Sequence, residues 1–387
     1  MLPRNDFVLR RLGDLSDRMI RNPRHRAAIA MKPYCRNLFS CITLPGAALL
    51  LCACTAAQAQ TPATQTLRIV GGLAGLNQYT RNEEPFWTKE LLRLSGGKFS
   101  AEIVPFDRAG VPGPNMLRLI QMGVIPFGTT LVSQLPTPQA HLYAPDLPGL
   151  NPDMASLRKS VAAFRPYLEQ HLREQGVETL AIYVYPAQML FCRKPITRLS
   201  DLAGRRIRVS SATQADFIGA LRGVPVPTGF AEIMPNFASG NIECAVTGSM
   251  SGNTLGLHEV TSYLHTMPIN WGVAVFAANV NAWAALPPDL KALLRSELPK
   301  LEAAIWAESE RETADGVACN RGASSCSIGR KGQMTEVPLS SADDRQRQEI
   351  FRNTVLPRWI ERCGKRCTEV WNQTLAKANN IMATAPQ

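Results

Sequence analysis

The stretch PITRLSDLAGRRIRVS, residues 195–210, combines a helical turn, a glycine stop and a strand. Asp201 lies where a short oxygen-bearing side chain can cap the free N–H groups at a helix start. Gly204 can adopt the left-handed conformation that ends a helix. Arg206 and Arg208 then alternate with two aliphatic residues, which predicts a strand with both arginines on one face and both aliphatic side chains on the other.

Strands and helices alternate in the part of the chain that precedes this stretch. The pattern predicts strands at 66–70, 99–106 and 124–131, with helices that start near Asn82 and Asn115 between them. This order is typical of a parallel sheet covered by helices. With 387 residues, of which 45% are hydrophobic and 19% charged, the chain is long enough for two globular domains.

Three segments resemble the solute-binding proteins of tripartite ATP-independent periplasmic (TRAP) transporters, the DctP-like family. The first contains the Pro-Ile, Asp-Leu, Gly and Ile-Arg-Val residues within 195–209. The second is Gly-Asn-Ile-Glu at 240–243, and the third contains the Asn-Ala-Trp and Leu-Pro-Pro-Asp residues within 281–289. The resemblance covers roughly residues 66–315, and the region 319–387 departs from the usual family pattern.

The fold implied by this resemblance is α/β and periplasmic-binding-protein-like. It has two α/β lobes, a central cleft and a long helix that spans both lobes; here that helix would begin after Leu286. Lobe I would comprise residues 60–186 and 274–314. Lobe II would comprise residues 187–273 and 315–387, including the cysteine-containing C-terminal region.

The resemblance also implies a binding site. In the family, the arginine of the Ile-Arg-Val strand grips the carboxylate of an organic acid, and here that residue is Arg208; a guanidinium is a rigid charged fork that matches a carboxylate. Gln188 stands where many members have a second arginine, which indicates a monocarboxylate or a less charged acid. Thr247 replaces a family asparagine and opens a small polar run, 247–253. The expected ligand contacts are Arg208, Gln188, Phe230, Thr247, Thr129, Trp271 and Tyr79.

The residues by themselves leave a second interpretation open for several of these positions. Arg208 could be a solvated strand residue, and Gln188 could be a strand residue without a role in binding. Phe230 and Trp271 could belong to the hydrophobic core. One departure from the family pattern is Pro126, which stands where an aspartate is usual and changes the local hydrogen bonding rather than the fold.

The implied function is that of a periplasmic protein that captures a small organic carboxylate by lobe closure and delivers it to the membrane subunits of a TRAP permease. We expect a monomer. The alternatives are a ligand-sensing co-receptor on the same fold and a periplasmic enzyme. The five histidines lack the spacing of a metal site, and no nucleophile elbow or dinucleotide-binding fingerprint occurs, so the sequence predicts no enzyme, metal or cofactor.

Residues 1–59 predict an export segment. Two basic residues precede an apolar run that is too short to span a membrane, and the residues up to Ala59 fit a signal-peptidase site. Met31 is then the expected start, with residues 1–30 as an extension; the alternative is lipid attachment at Cys54. Without residues 1–59 the net charge falls from +11 to +5, with 33 basic and 28 acidic residues, so no nucleic-acid partner is indicated.

Six cysteines lie beyond this segment, as expected for an exported protein with disulfides. Cys319 and Cys326 flank a Gly/Ser loop and can close a small ring. The CGKRC segment, 363–367, can pair internally or with the first two cysteines. Cys192 and Cys244 are expected to be buried thiols, with a disulfide between them left open.

Overall fold

The computed structural model describes residues 65–384, so the predicted export segment, including Met31 and Cys54, lies outside the described residues. The strands are β1 (Gln65–Gly71), β2 (Phe99–Pro105), β3 (Phe127–Leu131), β4 (Val177–Val184), β5 (Gln188–Cys192), β6 (Arg206–Val209), β7 (Val224–Pro227), β8 (Cys244–Gly248), β9 (Tyr263–Asn270), β10 (Val273–Asn279) and β11 (Thr335–Val337).

The α-helices vary widely in length, and one is much longer than the rest. They are Leu91–Leu94, Met116–Gln121, Met154–Glu174, Ala212–Ala220, Ile233–Ala238, Ser249–Leu255, Leu257–Val260, Val280–Ala284, Pro288–Asn320, Ser341–Ile350, Leu356–Cys363, Lys365–Thr374 and Ala376–Asn379. Wider π-type turns form Gln78–Glu83, Phe86–Glu90 and Phe351–Val355, and tighter 3₁₀ turns form Gly113–Asn115, Val132–Gln134, Thr137–Asp146 and Leu199–Leu202. No helix within residues 65–384 has the length and apolar character needed to cross a bilayer.

The first sheet has the strand order β2-β1-β3-β10-β4. Strand β1 pairs in parallel with both β2 and β3, which confirms the parallel sheet predicted from the alternating strands and helices. Strand β10 enters antiparallel between β3 and β4. The second half of β4 is buried. The helices Met154–Glu174 and Pro288–Asn320 pack against β4, and their side chains Leu157 and Trp306 are buried.

The second sheet has the order β11-β9-β5-β8-β6-β7. Strand β6, the strand predicted from the Ile-Arg-Val pattern, is parallel to β7 and β8. The turn that precedes β6 ends at Gly204, whose φ of 73° is the left-handed conformation expected there. Strand β5 is antiparallel to β8 and β9, so its first residue lies beside the last residues of those strands.

The long helix, Pro288–Asn320, contacts both sheets, as the fold prediction requires. Towards the first sheet, the indole N–H of Trp306 donates to the carbonyl of Ile182 at 2.8 Å. Towards the second, the hydroxyl of Ser249 donates to the carbonyl of Glu312 at 3.2 Å. A Cβ at Gly316 would lie 2.4 Å from the backbone nitrogen of Met250, so only glycine allows this close approach. The predicted two-lobed α/β fold is confirmed, while its exact lobe boundaries stay a prediction.

The C-terminal helices contact elements on both sides rather than the second sheet alone. The indole N–H of Trp359 donates to the carbonyl of Ala140, 2.7 Å away, in the turn that precedes the helix Met154–Glu174. Arg362 forms an ion pair with Asp216 on the helix Ala212–Ala220, with 2.5 Å between Nη2 and Oδ2. These helices therefore connect segments that we assigned to different lobes.

Two expectations about local structure are wrong. The first helix begins at Gln78 rather than near Asn82; Asn77 precedes it without a side-chain cap, so the sequence carried no start signal there. Cys192 and Cys244 form a disulfide instead of remaining thiols, because they face each other across the antiparallel pair β5–β8. Cys319 and Cys326 close the small ring that the sequence allowed, and Cys363 pairs with Cys367, which is one of the two pairings that the sequence left open.

Candidate functional site

A cavity lies where strand ends of the two sheets approach each other. Leu131 at the end of β3 contributes from the first sheet, and Gln188, Arg208 and Thr247 contribute from β5, β6 and β8 of the second. Side chains at the carboxyl ends of strands commonly form ligand sites in α/β proteins. The remaining lining residues are Leu73, Leu76, Ser133, Gln134, Tyr185, Ser210, Phe230, Ser251, Asn270 and Gly272.

Arg208 is a buried cation in the wall of this cavity. Its side chain is held by two carbonyl groups: Nε donates to Thr228 at 3.0 Å and Nη1 donates to Val246 at 2.7 Å. The residue is only 3% exposed, and burial lowers the pKa of its guanidinium to about 10. Within residues 65–384 no carboxylate forms an ion pair with it, and Nη2 makes no hydrogen bond. A buried charge without a counter-ion is costly, so the site favours an anion.

Gln188, Thr247 and Phe230 lie in the same lining as Arg208. The side-chain amide of Gln188 donates to the carbonyl of Trp271 at 2.9 Å, which fixes its orientation. Thr247 is 2% exposed, and its hydroxyl makes no hydrogen bond within the described part of the chain. Phe230 is half-buried and adds an apolar wall. Four of the seven predicted contacts thus lie around one cavity that offers a cation, neutral polar groups and an apolar surface.

Residues 74–318 match the family model of the bacterial extracellular solute-binding protein, family 7, called DctP. The chain belongs to this family. The match confirms the resemblance to the TRAP solute-binding proteins that the three segments indicated.

Solved structures of solute-binding proteins share the fold of this family member. The Bordetella pertussis receptor DctP7, described as binding pyroglutamic acid, has a TM-score of 0.70 at 22% identity, over 80% of this chain and 99% of that one. A Desulfovibrio salexigens TRAP protein with bound orotic acid has a TM-score of 0.70 at 18% identity, over 79% and 96%. A Rhodoferax ferrireducens protein in complex with copurified benzoate has a TM-score of 0.69 at 18% identity, over 82% and 98%.

The other three predicted contacts of this DctP family member lie outside the cavity lining. The hydroxyl of Thr129 donates to Glu83 at 3.1 Å, and the hydroxyl of Tyr79 donates to the carbonyl of Ile103 at 3.2 Å. The indole N–H of Trp271 donates to the carbonyl of Asn151 at 3.2 Å. All three side chains are buried and hydrogen-bonded within the fold, and the interpretation of Trp271 as a core residue fits its position.

Glu83 is a buried carboxylate that the sequence analysis missed. Its Oε2 accepts from the backbone N–H of Gly72 at 3.0 Å and from Thr129, and its Oε1 accepts from the side chain of Gln78 at 3.0 Å. Burial raises the pKa of Glu83 to about 7. A Cβ at Gly72 would lie 2.7 Å from Oε1 of Glu83 and 2.9 Å from the hydroxyl of Tyr185. Gly72, directly after β1, therefore makes room for the carboxylate of Glu83.

A buried hydrogen-bond network lies beside the cavity and was also missed. Ser210 donates to Gln214, Gln214 donates to Asn270 at 2.8 Å, and Asn270 donates to Asp146 at 3.2 Å. Asp146 further accepts from the backbone N–H of Trp271 at 2.8 Å, and burial raises the pKa of its carboxyl to about 6. Ser210 and Gln214 are four residues apart, whereas Asn270 and Asp146 are distant in sequence, so the sequence did not indicate the network. The network fixes the turn between β9 and β10 next to Gln188.

Within the portion of the chain from residue 65 to residue 384, no three His, Cys, Asp or Glu side chains cluster in a way that could hold a metal ion.

Proposed function

We propose that this protein binds a small organic carboxylate in the cavity between its two lobes and releases it to a TRAP permease in the membrane. The observation that carries the proposal is Arg208, a buried cation that faces a cavity without a counter-ion in the described structure. With a pKa of about 10 it keeps its charge at neutral pH. A ligand carboxylate would supply the missing charge.

The contacts around Arg208 suggest how the carboxylate is held. Nη2 is free to donate, and a carboxylate oxygen is the acceptor that forms the strongest hydrogen bond with a guanidinium. The hydroxyl of Thr247 can donate to the second oxygen, since it has no other partner among the described residues. Gln188 is neutral, so the site contains one cation and suits a single negative charge.

The solved relatives support the ligand class. The receptors from Bordetella pertussis and Desulfovibrio salexigens are described with pyroglutamic acid and orotic acid, and the Rhodoferax ferrireducens protein with benzoate. All three ligands are organic acids. We extend this class to the present chain, together with a periplasmic location, a role without catalysis, action as a monomer and delivery to a permease of two membrane subunits.

A thermal-shift screen of organic acids tests the proposal. A ligand present at a thousandfold excess over its Kd stabilises a protein by about 4 kcal/mol, which a melting curve detects easily. Arg208→Ala should abolish the shift. Arg206→Ala is the matched control, because this arginine lies on the same strand but is exposed and contacts Glu243 and the carbonyls of Asn241 and Gly240. Equal shifts in wild type and Arg208→Ala would refute the assignment.

A further inference from the structure

A larger outer chamber lies next to the cavity around Arg208. The inner cavity measures about 50 Å³ and the chamber about 710 Å³. Both are lined by Leu73, Ser133, Gln134, Ser210 and Phe230, so the two spaces adjoin each other. A water occupies about 10–15 Å³ on this measure, so the inner cavity holds little more than a carboxylate and a few neighbouring atoms. A larger ligand anchored at Arg208 must extend into the chamber.

The chamber walls are mostly apolar, with hydroxyl and amide side chains such as Ser133, Gln134 and Thr137 among the apolar residues. From the side of the first sheet they include Val111, Pro112 and Leu135, and from the side of the second they include Pro227 and Phe230. Proline has no backbone N–H, so these wall segments cannot donate a hydrogen bond where a proline stands. Because both sides contribute, an apolar group in the chamber would bury surface from both lobes at once.

The charged groups of the chamber do not favour a second anion. Its charged lining residues are Asp107, Glu232 and Arg362. Asp107 accepts from the backbone N–H of Ala74 at 3.0 Å. Nη2 of Arg362 already forms the ion pair with Asp216, while its Nη1 is buried and makes no hydrogen bond to the described residues. Within the described chain, the chamber therefore presents two carboxylates and a guanidinium that is already paired.

We propose that the ligand is a monocarboxylate with an extended apolar body, whose charged end binds Arg208 and whose body fills the outer chamber. This inference rests on the proposed function, because it takes Arg208 as the anchor. It adds the ligand's length and its apolar character. Phe230, which lines both spaces, contacts the ligand where the charged end meets the apolar body.

Calorimetric titration with straight-chain acids tests this proposal. The series is acetate, butyrate, hexanoate and octanoate, together with octanedioate, which has the length of octanoate and a second carboxylate. We expect Kd to fall by about fourfold for each added methylene that enters the chamber. We expect octanedioate to bind at least about tenfold more weakly than octanoate, because its second charge would be buried without a partner. A Kd that does not change with length, or equal affinity for octanoate and octanedioate, overturns the inference.

A substitution that fills the chamber with a large side chain provides a second test. Ala231 is exposed and lines the chamber, so Ala231→Trp should weaken octanoate binding by at least about tenfold while leaving butyrate unchanged. Ala238→Trp is the matched control, since Ala238 is exposed nearby but does not line the chamber. Unchanged octanoate binding in Ala231→Trp, with the unliganded melting temperature preserved, counts against the inference.

The failure of this inference can be told apart from failure of the proposed function. If compact acids bind in a manner that depends on Arg208 but the longer acids do not bind more tightly, the function stands and the extended ligand is wrong. If octanoate binds equally well to wild type and to Arg208→Ala, Arg208 is not the anchor and both are wrong.

Discussion

Arg208 and Glu83 are both buried charged side chains, and the two regions around them differ in how that charge is satisfied. Glu83 accepts hydrogen bonds from Gly72, Gln78 and Thr129, and its pKa rises to about 7, so the region can also hold it as a neutral acid. Arg208 is held by two carbonyl groups, stays charged and faces a cavity. Burial alone therefore does not identify a binding residue. A binding residue is indicated by a buried charge that lacks a counter-ion and faces a cavity.

Replacing Arg208 gives the largest expected effect and tests this contrast directly. Arg208→Met should weaken carboxylate binding by about 100-fold or more, since the ligand's charge would be buried without a partner. The unliganded protein should keep its stability or gain some, because an uncompensated buried charge is removed. Calorimetry measures the first effect and urea unfolding the second. A large loss of unliganded stability with binding intact would mean that Arg208 is structural.

Replacing Glu83 should change stability rather than binding. Its folded pKa of about 7 lies above the ordinary value of 4.5, so the folded state binds more protons than the unfolded state between these pH values. Its contribution is fully present below pH 4.5 and is lost as the pH rises to 7, a change on the order of 3 kcal/mol. Glu83→Gln should lack this loss when unfolding free energies of both proteins are compared from pH 4 to pH 8. Parallel pH profiles would contradict the assignment.

Thr247→Val should give the smallest effect of the three. It removes one hydroxyl from the cavity and keeps the side chain's shape, so we expect about a tenfold increase in Kd for the ligand. Thr129→Val is the matched control, because Thr129 contacts Glu83 outside the cavity. If both substitutions change Kd equally, the hydroxyl of Thr247 does not contact the ligand.

The sequence predicted features that depend on neighbouring residues. The turn, the stop at Gly204 and strand β6 follow from local alternation and glycine chemistry, and all are present. The resemblance to the family then identified four residues that line one cavity. Arg206 shows the limit of alternation: it shares a predicted face with Arg208, yet it is exposed and contacts Glu243.

Features that depend on distant partners could not be predicted. Thr129 is turned towards Glu83, and Trp271 is fixed by Asp146 and Asn151, which lie more than 100 residues earlier in the chain. The pairing of Cys192 with Cys244, which are 52 residues apart, depends on the register of strands β5 and β8. In each case the partner is chosen by the fold and not by spacing along the chain.

The disulfide Cys192–Cys244 has a practical consequence for producing the protein. It joins the strands that carry Gln188 and Thr247, so it covalently fixes two cavity walls relative to each other. Thiols stay reduced in the cytosol and oxidise after export. Protein purified from the cytosol would therefore lack this disulfide, and its two cavity walls would not be covalently joined. A thiol assay before each titration would distinguish the reduced protein from the oxidised protein.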